Sequence, residues 1–122
     1  MTGKAYRVPV RTGSIVELDA NLSRAVTADE IRQAFRNAAS SGPLKDVMGV
    51  LEQEWASSRI VGDPHTSIVD LPLVQVMDGT LVSVAAWYDN EYGYSAGLAR
   101  MAERIYKAAQ PAMSKAQKAP AD

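Results

Sequence analysis

Residues 87–95 read Trp-Tyr-Asp-Asn-Glu-Tyr-Gly-Tyr-Ser, and they mark the point where a long apolar strand stops and a helix begins. Asp89 and Asn90 favour a helix start, because their side-chain oxygens accept hydrogen bonds from the unpaired N–H groups of the first turn. A carboxylate also suits the positive end of the helix dipole. A corner between two rigid elements holds its side chains in fixed positions. The segment is therefore predicted to be a structural cap or a functional site, and both interpretations stay open here.

Upstream of this corner, two stretches alternate apolar and polar residues with the period of a strand. Residues 6–10 form the first stretch and residues 16–22 form the second. Thr27 and Glu30 then have the spacing of a capping box, in which each side chain bonds the backbone N–H of the other residue. A helix is therefore predicted to start there and to end at Gly42-Pro43, since proline cannot continue the hydrogen-bond ladder.

More strands are predicted between that helix and the corner. Strand-like segments occupy residues 47–52, residues 55–61 (an irregular strand or loop) and residues 66–71. Residues 73–77 and 80–88 flank Asp78-Gly79, which predicts an antiparallel hairpin because both central residues of its turn need a positive φ.

After the corner, apolar residues recur at helical spacing. The members of this stripe are Tyr94, Leu98, Met101 and Ile105. They predict a helix from Gly93 to about Ala109 that ends at Pro111. Residues 110–122 are rich in Ala, Lys and Pro and have little to bury, so they are predicted to be a disordered tail.

The elements together predict an α+β fold for residues 1–109, which are expected to form a single module. Its core is a mostly antiparallel, mixed sheet of six to eight strands, with two helices packed on one face. A chain of 122 residues is long enough to bury one hydrophobic core of its own.

Composition excludes several classes of function. The formal net charge is -1, so no basic field favours nucleic acid or an anionic membrane. No apolar run is long enough to span a bilayer and no secretion signal is visible, which predicts a cytoplasmic protein. The sequence has no cysteine and one histidine, so thiolate chemistry is excluded and no metal site is predicted. That histidine, His65, is predicted to be a loop residue.

Residues 87–95 resemble, almost letter for letter, the W-Y-D-N-E-x-G-Y-S signature of phosphorylating glyceraldehyde-3-phosphate dehydrogenases. Residues 2–9 are similar to that family's T-G-x-A-x-R-V-P strand. Residues 42–45 and 63–67 resemble later segments of the family in the same order. The resemblance extends from about Thr2 to Ile105 and corresponds to the last third of the family's usual length. It implies the fold of the family's C-terminal, catalytic domain.

The resemblance also implies roles for three residues. Asn90 matches the asparagine that holds the carboxamide of the nicotinamide ring of NAD, and Tyr94 matches the tyrosine that packs beside that ring. Arg7 matches an arginine that helps to bind phosphate, for which a planar guanidinium is well suited. An ion pair of Arg7 with Glu17 or Asp19 is the alternative.

The departures from the family pattern concern the nucleophile and the cofactor. The family's catalytic cysteine and its activating histidine precede the matched region, and neither occurs in this sequence. No G-x-G-x-x-G turn that would hold a dinucleotide pyrophosphate is present either.

These departures favour a subunit without dehydrogenase activity of its own, which oligomerises or complements another protein. The resemblance implies that its partner would be a second copy, through the sheet face that carries Arg7, Glu17 and Asp19, or a protein with a cofactor domain. NAD would bind only if such a partner supplied the nucleotide-binding domain. An inactive scaffold is a further interpretation.

A repurposed, cofactor-independent enzyme is the alternative function. It would act on an anionic or carbonyl substrate at the corner. Tyr88, Asp89 and Glu91 would be its acid/base candidates, with Arg7 and Tyr94 completing the site.

Overall fold

The central element of the molecule is strand β5, Leu81–Tyr88. The computed structural model of the chain describes residue 3 and residues 5–116, with the backbone alone over residues 111–116. Strand β1, Ser14–Asn21, pairs antiparallel with β5 along its whole length. The other side of β5 pairs antiparallel with two shorter strands, Ser67–Asp70 and Gln75–Met77.

The remaining strands complete a mixed sheet of five strands. β3 is Ser67–Asp70 and β4 is Gln75–Met77. β2, Met48–Leu51, lies at the edge and pairs in parallel with β3. The hairpin between β4 and β5 is confirmed, with φ of 50° at Asp78 and 75° at Gly79.

Two helices accompany the sheet. α1, Ala28–Ser40, begins at the predicted capping box: the Glu30 N–H donates to the Thr27 Oγ1 at 3.2 Å, and the Thr27 N–H donates to a Glu30 carboxylate oxygen at 2.7 Å. α2, Tyr92–Ala116, follows the corner. Short 3₁₀ turns lie at Gly42–Leu44, Ser57–Ile60 and Leu71–Leu73.

The core lies on both sides of the sheet. On the α1 side, Met48, Val69 and Leu71 are buried against Phe35 and neighbouring alanines of α1. On the opposite side, the buried residues are Leu51, Ile60 and Ile68, which pack against Trp55 and Trp87. Each of the two hydrophobic clusters is small, because α1 covers only part of one face of the sheet.

The prediction of six to eight strands is wrong, since the described residues form five. Residues 6–10 were expected to be a strand but are irregular and exposed. Residues 57–60, in the segment predicted to be an irregular strand or loop, form a 3₁₀ turn and add no strand to the sheet. An alternating sequence needs a neighbouring strand to accept its backbone hydrogen bonds, and no neighbour pairs with residues 6–10 within the described chain.

The expectation that both helices pack on one sheet face holds for α1 and is wrong for α2. Leu98, Met101 and Ile105 of α2 are 62 %, 53 % and 63 % exposed, so most of its stripe does not cover the sheet. The helix also continues past Pro111 to Ala116, because the surrounding Ala, Gln and Lys residues favour helix. Residues 110–116 are thus helical, and the rest of the predicted tail lies outside the described residues.

Candidate functional site

The corner between β5 and α2 consists of three residues. β5 ends at Tyr88 and α2 begins at Tyr92, so Asp89, Asn90 and Glu91 connect the strand to the helix. Asp89 is 3 % exposed, whereas Asn90 and Glu91 are exposed. The corner therefore presents one buried carboxylate and two accessible polar groups.

The Asp89 carboxylate is a cap for α2. Its Oδ1 accepts hydrogen bonds from the backbone N–H groups of Glu91 and Tyr92, both at 2.9 Å, and from the Thr12 hydroxyl at 3.2 Å. Its Oδ2 accepts from the Gly62 N–H at 2.9 Å. Both oxygens are thus occupied by donors, which is how a buried carboxylate is stabilised in its charged form.

These donors also lower the pKa of Asp89 from 3.8 to about 2. The Gly62 N–H has the largest effect, followed by the Tyr92 N–H, and burial opposes them in part. A carboxyl group with so low a pKa stays ionised at neutral pH and is a poor proton donor. The geometry of Asp89 is therefore that of the structural cap.

Asn90 binds the segment that precedes β1. Its side-chain oxygen accepts from the Gly13 N–H at 3.1 Å and lies 3.3 Å from the Thr12 hydroxyl, whose single proton it shares with the Asp89 carboxylate. Asp89 and Asn90 thus connect the turn at residues 12–13 to the corner by hydrogen bonds. Its amide NH₂ group has no protein acceptor within the described chain, so a donor remains for a ligand.

Two cavities meet at the corner. The larger, of about 570 Å³, extends over the sheet face next to α1 and includes Tyr88, Asp89, Asn90 and Tyr94 at one end. The smaller, of about 300 Å³, includes Thr12, Asp89 and Glu91. Cavities of 300–1,000 Å³ are typical of small-molecule sites, as a general range.

The structure brings most of the predicted site residues together. Tyr88, Asp89, Asn90 and Tyr94 line one cavity, and Glu91 lines the other. Arg7 is exposed and lines neither cavity, and among the described residues it forms no ion pair with an acidic side chain. Its role in anion binding stays a prediction.

Sequence reasoning missed two groups at this site, the Thr12 hydroxyl and the Gly62 N–H. They lie 77 and 27 residues from Asp89, so no local pattern connects them with the corner. Gly13 and Gly62 both have a positive φ, of 96° and 81°, and the backbone N–H of each donates to the corner, to Asn90 and to Asp89 respectively.

A second polar group, formed by Asp63 and His65, lies beside the start of α2. The His65 Nδ1 is 2.7 Å from an Asp63 carboxylate oxygen, and the imidazole packs on Gly49. A Cβ at Gly93 would lie 2.6 Å from the His65 carbonyl oxygen, so α2 approaches this loop as closely as glycine allows. His65 is a loop residue, as predicted, and its loop positions α2.

No three His, Asp or Glu side chains gather at one point in the described part of the chain, as a metal site would require. Within the same residues, no helix has both the length and the apolar character that crossing a bilayer demands.

A mixed five-stranded sheet, an α1 layer and a polar strand-to-helix corner define the class: an α+β module that presents Asn and Tyr side chains beside an open cavity. Comparison with known proteins specifies the family. Residues 1–90 match the family model described as glyceraldehyde 3-phosphate dehydrogenase, C-terminal domain. The chain belongs to this family, and the resemblance seen in the sequence is confirmed.

Individual relatives agree with this assignment. The chain is 45% identical to glyceraldehyde-3-phosphate dehydrogenase of Streptomyces coelicolor over 95 residues, which are 78% of this chain and 28% of that protein. It is 48% identical to the Kitasatospora aureofaciens protein of the same name over the same shares. It is 41% identical to glyceraldehyde-3-phosphate dehydrogenase 1 of Saccharomyces cerevisiae over 108 residues, 88% of this chain and 32% of that protein. The matched region is thus under a third of the length of each relative.

Proposed function

We propose that these 122 residues do not oxidise an aldehyde on their own, and that they act as an oligomerising or complementing subunit of a dehydrogenase assembly. The observation that carries this proposal is the open state of the corner. Tyr94 is 70 % exposed beside a cavity of about 570 Å³, so the residues that resemble the nicotinamide contacts have no second wall within the described chain.

The chemistry of the nucleophile supports the first part of the proposal. By resemblance, the family attacks its aldehyde with a cysteine thiolate, and the sequence contains no cysteine. The single histidine is His65, whose ring nitrogen is paired with Asp63. A thiohemiacetal therefore cannot form on this chain, and a partner would have to supply the sulfur.

The hydrogen bonds of Asn90 support a cofactor contact that a partner completes. Its oxygen already accepts from the Gly13 N–H and shares the Thr12 hydroxyl proton with Asp89, which fixes the plane of the amide. The NH₂ group is left to donate to the carbonyl oxygen of a carboxamide. One such hydrogen bond cannot hold a dinucleotide, so we propose that NAD binds only when a partner provides a nucleotide-binding domain.

The second sheet face supports the oligomerising role. β1 carries Ile15, Glu17 and Asp19 on the side opposite α1, and Ile15 is 46 % exposed. Glu17 accepts a hydrogen bond from the Ser83 hydroxyl of β5 at 3.3 Å. A strand face with both apolar and charged side chains is suited to a subunit contact, since its polar groups set the register of the partner.

The first experiment mixes the purified chain with triose phosphate aldehyde, inorganic phosphate and NAD, and follows NADH by absorbance. We expect no NADH from the chain alone and normal turnover from the Saccharomyces cerevisiae relative in the same buffer. Adding the separately produced nucleotide-binding part of a relative tests complementation. Formation of NADH by the chain alone would contradict the proposal.

The second candidate function is the small cofactor-independent enzyme, and the two cavities that meet at Asp89 favour it. Its most testable element is the anion site at Arg7. A ligand of the folded state raises thermal stability by mass action, so phosphate should raise the melting temperature of wild type more than that of Arg7→Ala. The control is Arg11→Ala, which changes a nearby exposed arginine. Equal responses in all three proteins would remove Arg7 from the site.

A further inference from the structure

The outer edge of β1 is the longest strand edge without a partner strand in the described chain. β1 is the first strand in the order of the sheet and pairs on one side only, with β5. It has eight residues, whereas the strand at the other edge, β2, has four. Between Ser14 and Asn21 there is no bulge, proline or lysine, which are features that protect natural edge strands. The backbone of β1 is therefore open to pairing with another chain.

Half of the backbone groups of β1 point away from β5. In an antiparallel pair, residues alternate between those whose N–H and C=O bond the neighbouring strand and those whose N–H and C=O face the other way. The Leu22 N–H donates to the Thr80 carbonyl oxygen at 2.9 Å, and the register continues from there through β1 and β5 without interruption. The even-numbered residues of β1 therefore bond to β5. The N–H and C=O groups that face outward belong to Ile15, Glu17, Asp19 and Asn21.

The side chains along this edge are acidic on one face of the sheet and apolar on the other. Glu17 and Asp19 are exposed on the face opposite α1, and neither forms an ion pair with a described residue. Glu17 accepts one hydrogen bond, from the Ser83 hydroxyl at 3.3 Å. Val16 and Leu18, on the face next to α1, are 51 % and 49 % exposed. A strand added beside β1 would thus meet acidic and apolar groups in alternation.

We propose that the free edge of β1 binds an extended peptide segment in which lysine or arginine alternates with apolar residues, and that this segment joins the sheet as a further antiparallel strand. Its basic side chains would lie opposite Glu17 and Asp19, because directly opposed residues of neighbouring strands project from the same face of the sheet. Its apolar side chains would cover Val16 and Leu18. In binding of this kind the main-chain hydrogen bonds supply affinity, and the alternate side chains supply specificity.

The same charges disfavour a second copy of β1 as the added strand. Two antiparallel β1 strands that keep apolar side chains on one face would, in the registers of greatest overlap, place Glu17 opposite Glu17 or opposite Asp19. Like charges directly opposite each other destabilise a strand pair. Charges on natural edge strands prevent pairing between identical edges in this way. A segment with basic residues at these positions replaces the repulsion by attraction.

The inference goes beyond the proposed function, because the edge of β1 requires neither NAD nor the corner. The probe is the synthetic peptide Thr-Val-Lys-Val-Lys-Val-Thr with blocked ends, whose lysines match the spacing of Glu17 and Asp19. Two N-methylated forms of the peptide are the controls. Methyl groups on the lysine nitrogens block the N–H groups that would donate to β1, whereas methyl groups on valine nitrogens replace N–H groups that would point away from it.

Amide hydrogen exchange, followed residue by residue by NMR, reports where the peptide binds. In the free chain, the N–H groups of Glu17 and Asp19 should exchange rapidly, whereas those of Val16 and Leu18 are bonded to β5 and should exchange slowly. At about ten times its Kd, the lysine peptide should slow exchange at Glu17 and Asp19 about 10-fold, because these groups exchange only from the free edge. The valine-methylated peptide should do the same, and the lysine-methylated peptide should have no effect.

Charge reversal tests the specificity. The double variant Glu17→Lys with Asp19→Lys should bind the lysine peptide at least about 10-fold more weakly, because two attractive cross-strand pairs become repulsive. The same variant should bind the peptide Thr-Val-Glu-Val-Glu-Val-Thr better than wild type does, and this exchange of specificity also shows that the variant is folded. The control is Glu54→Lys, at an exposed acidic position outside β1, which should bind the lysine peptide as wild type does.

Three results would overturn the inference. Rapid exchange at Glu17 and Asp19 in a large excess of the lysine peptide would show that the edge does not accept a strand. Equal protection by the lysine-methylated peptide would mean that the contact uses side chains without main-chain pairing. Slow exchange at the same two positions in the dilute chain without peptide would show that another segment of this chain already occupies the edge.

Discussion

Replacing Asp89 with asparagine should destabilise the fold, although asparagine usually caps a helix as well as aspartate does. Both oxygens of Asp89 accept hydrogen bonds, Oδ1 from the first turn of α2 and Oδ2 from the Gly62 N–H. An asparagine that keeps its oxygen at the helix start must turn its NH₂ group toward the Gly62 N–H. Two donors would then face each other in a buried position.

The magnitude follows from the pKa of Asp89. A reduction from 3.8 to about 2 corresponds to about 2 kcal/mol of differential interaction between the charged and neutral forms. Leaving a buried donor without an acceptor costs about 1–3 kcal/mol, which agrees. We therefore expect Asp89→Asn to lose about 2 kcal/mol of unfolding free energy at neutral pH.

The pH dependence has a definite sign. The pKa of Asp89 is lower in the folded state, so its contribution is complete above the unfolded value near 3.8 and disappears as the pH falls through about 2. Asparagine does not titrate. The stability difference between wild type and variant should therefore shrink with acidification over that window, with wild type losing more.

Urea unfolding followed by tryptophan fluorescence measures both effects, since Trp55 and Trp87 belong to the core. Protein concentration is held constant because self-association would add to apparent stability. Glu91→Gln, at an exposed neighbouring position, should stay within about 0.5 kcal/mol of wild type. If Asp89→Asn has the same free energy of unfolding as wild type, and the same dependence of that free energy on pH, the two carboxylate oxygens of Asp89 do not both accept stabilising hydrogen bonds.

Two further predictions concern close contacts. Gly93→Ala should lower the free energy of unfolding by at least about 1 kcal/mol although alanine favours helix, because its Cβ would lie 2.6 Å from the His65 carbonyl oxygen. Gly97→Ala should instead raise the free energy of unfolding by up to about 1 kcal/mol, because the nearest atom to its Cβ would be 3.5 Å away. Thermal melts of the two variants compare them directly, and a stabilised Gly93→Ala would contradict the contact. Trp87→Phe should lower the free energy of unfolding, measured in urea, by about 3 kcal/mol. The Trp87 Nε1 donates to an Asp70 carboxylate oxygen at 2.8 Å. Asp70 is 2 % exposed and its other carboxylate oxygen has no protein partner, so the variant would leave a buried carboxylate without a donor. The double variant Trp87→Phe with Asp70→Leu should recover part of that loss, and a single variant as stable as wild type would show that the hydrogen bond contributes little.

Elements with a complete local signal were predicted from the sequence. The capping box at Thr27 and Glu30 and the hairpin at Asp78-Gly79 both depend on residues within a few positions of each other, and both are present. The strand at residues 6–10 was not found. Its alternation satisfies a periodicity rule, but a strand exists only where a neighbour pairs with it, and that information is not local.

The part of the site that depends on neighbouring residues was also predicted from the sequence, and the part that depends on distant residues was not. Asp89 as a helix cap follows from its position before Tyr92. The donors from Thr12 and Gly62 come from distant parts of the chain and depend on the tertiary fold. The exposure of the α2 stripe was also missed, because an apolar period indicates that a face will be covered and does not identify what covers it.

The position of β5 near the end of the described chain has a consequence for synthesis. β1 leaves the ribosome well before Leu81–Tyr88, the strand with which it pairs, and the interval is several seconds at about 5–20 residues per second. During that time its apolar residues have no partner strand, while β2 and β3 can already pair. The sheet therefore closes in one late step. A nascent chain halted before Leu81 would expose β1 to the strands of other unfinished chains.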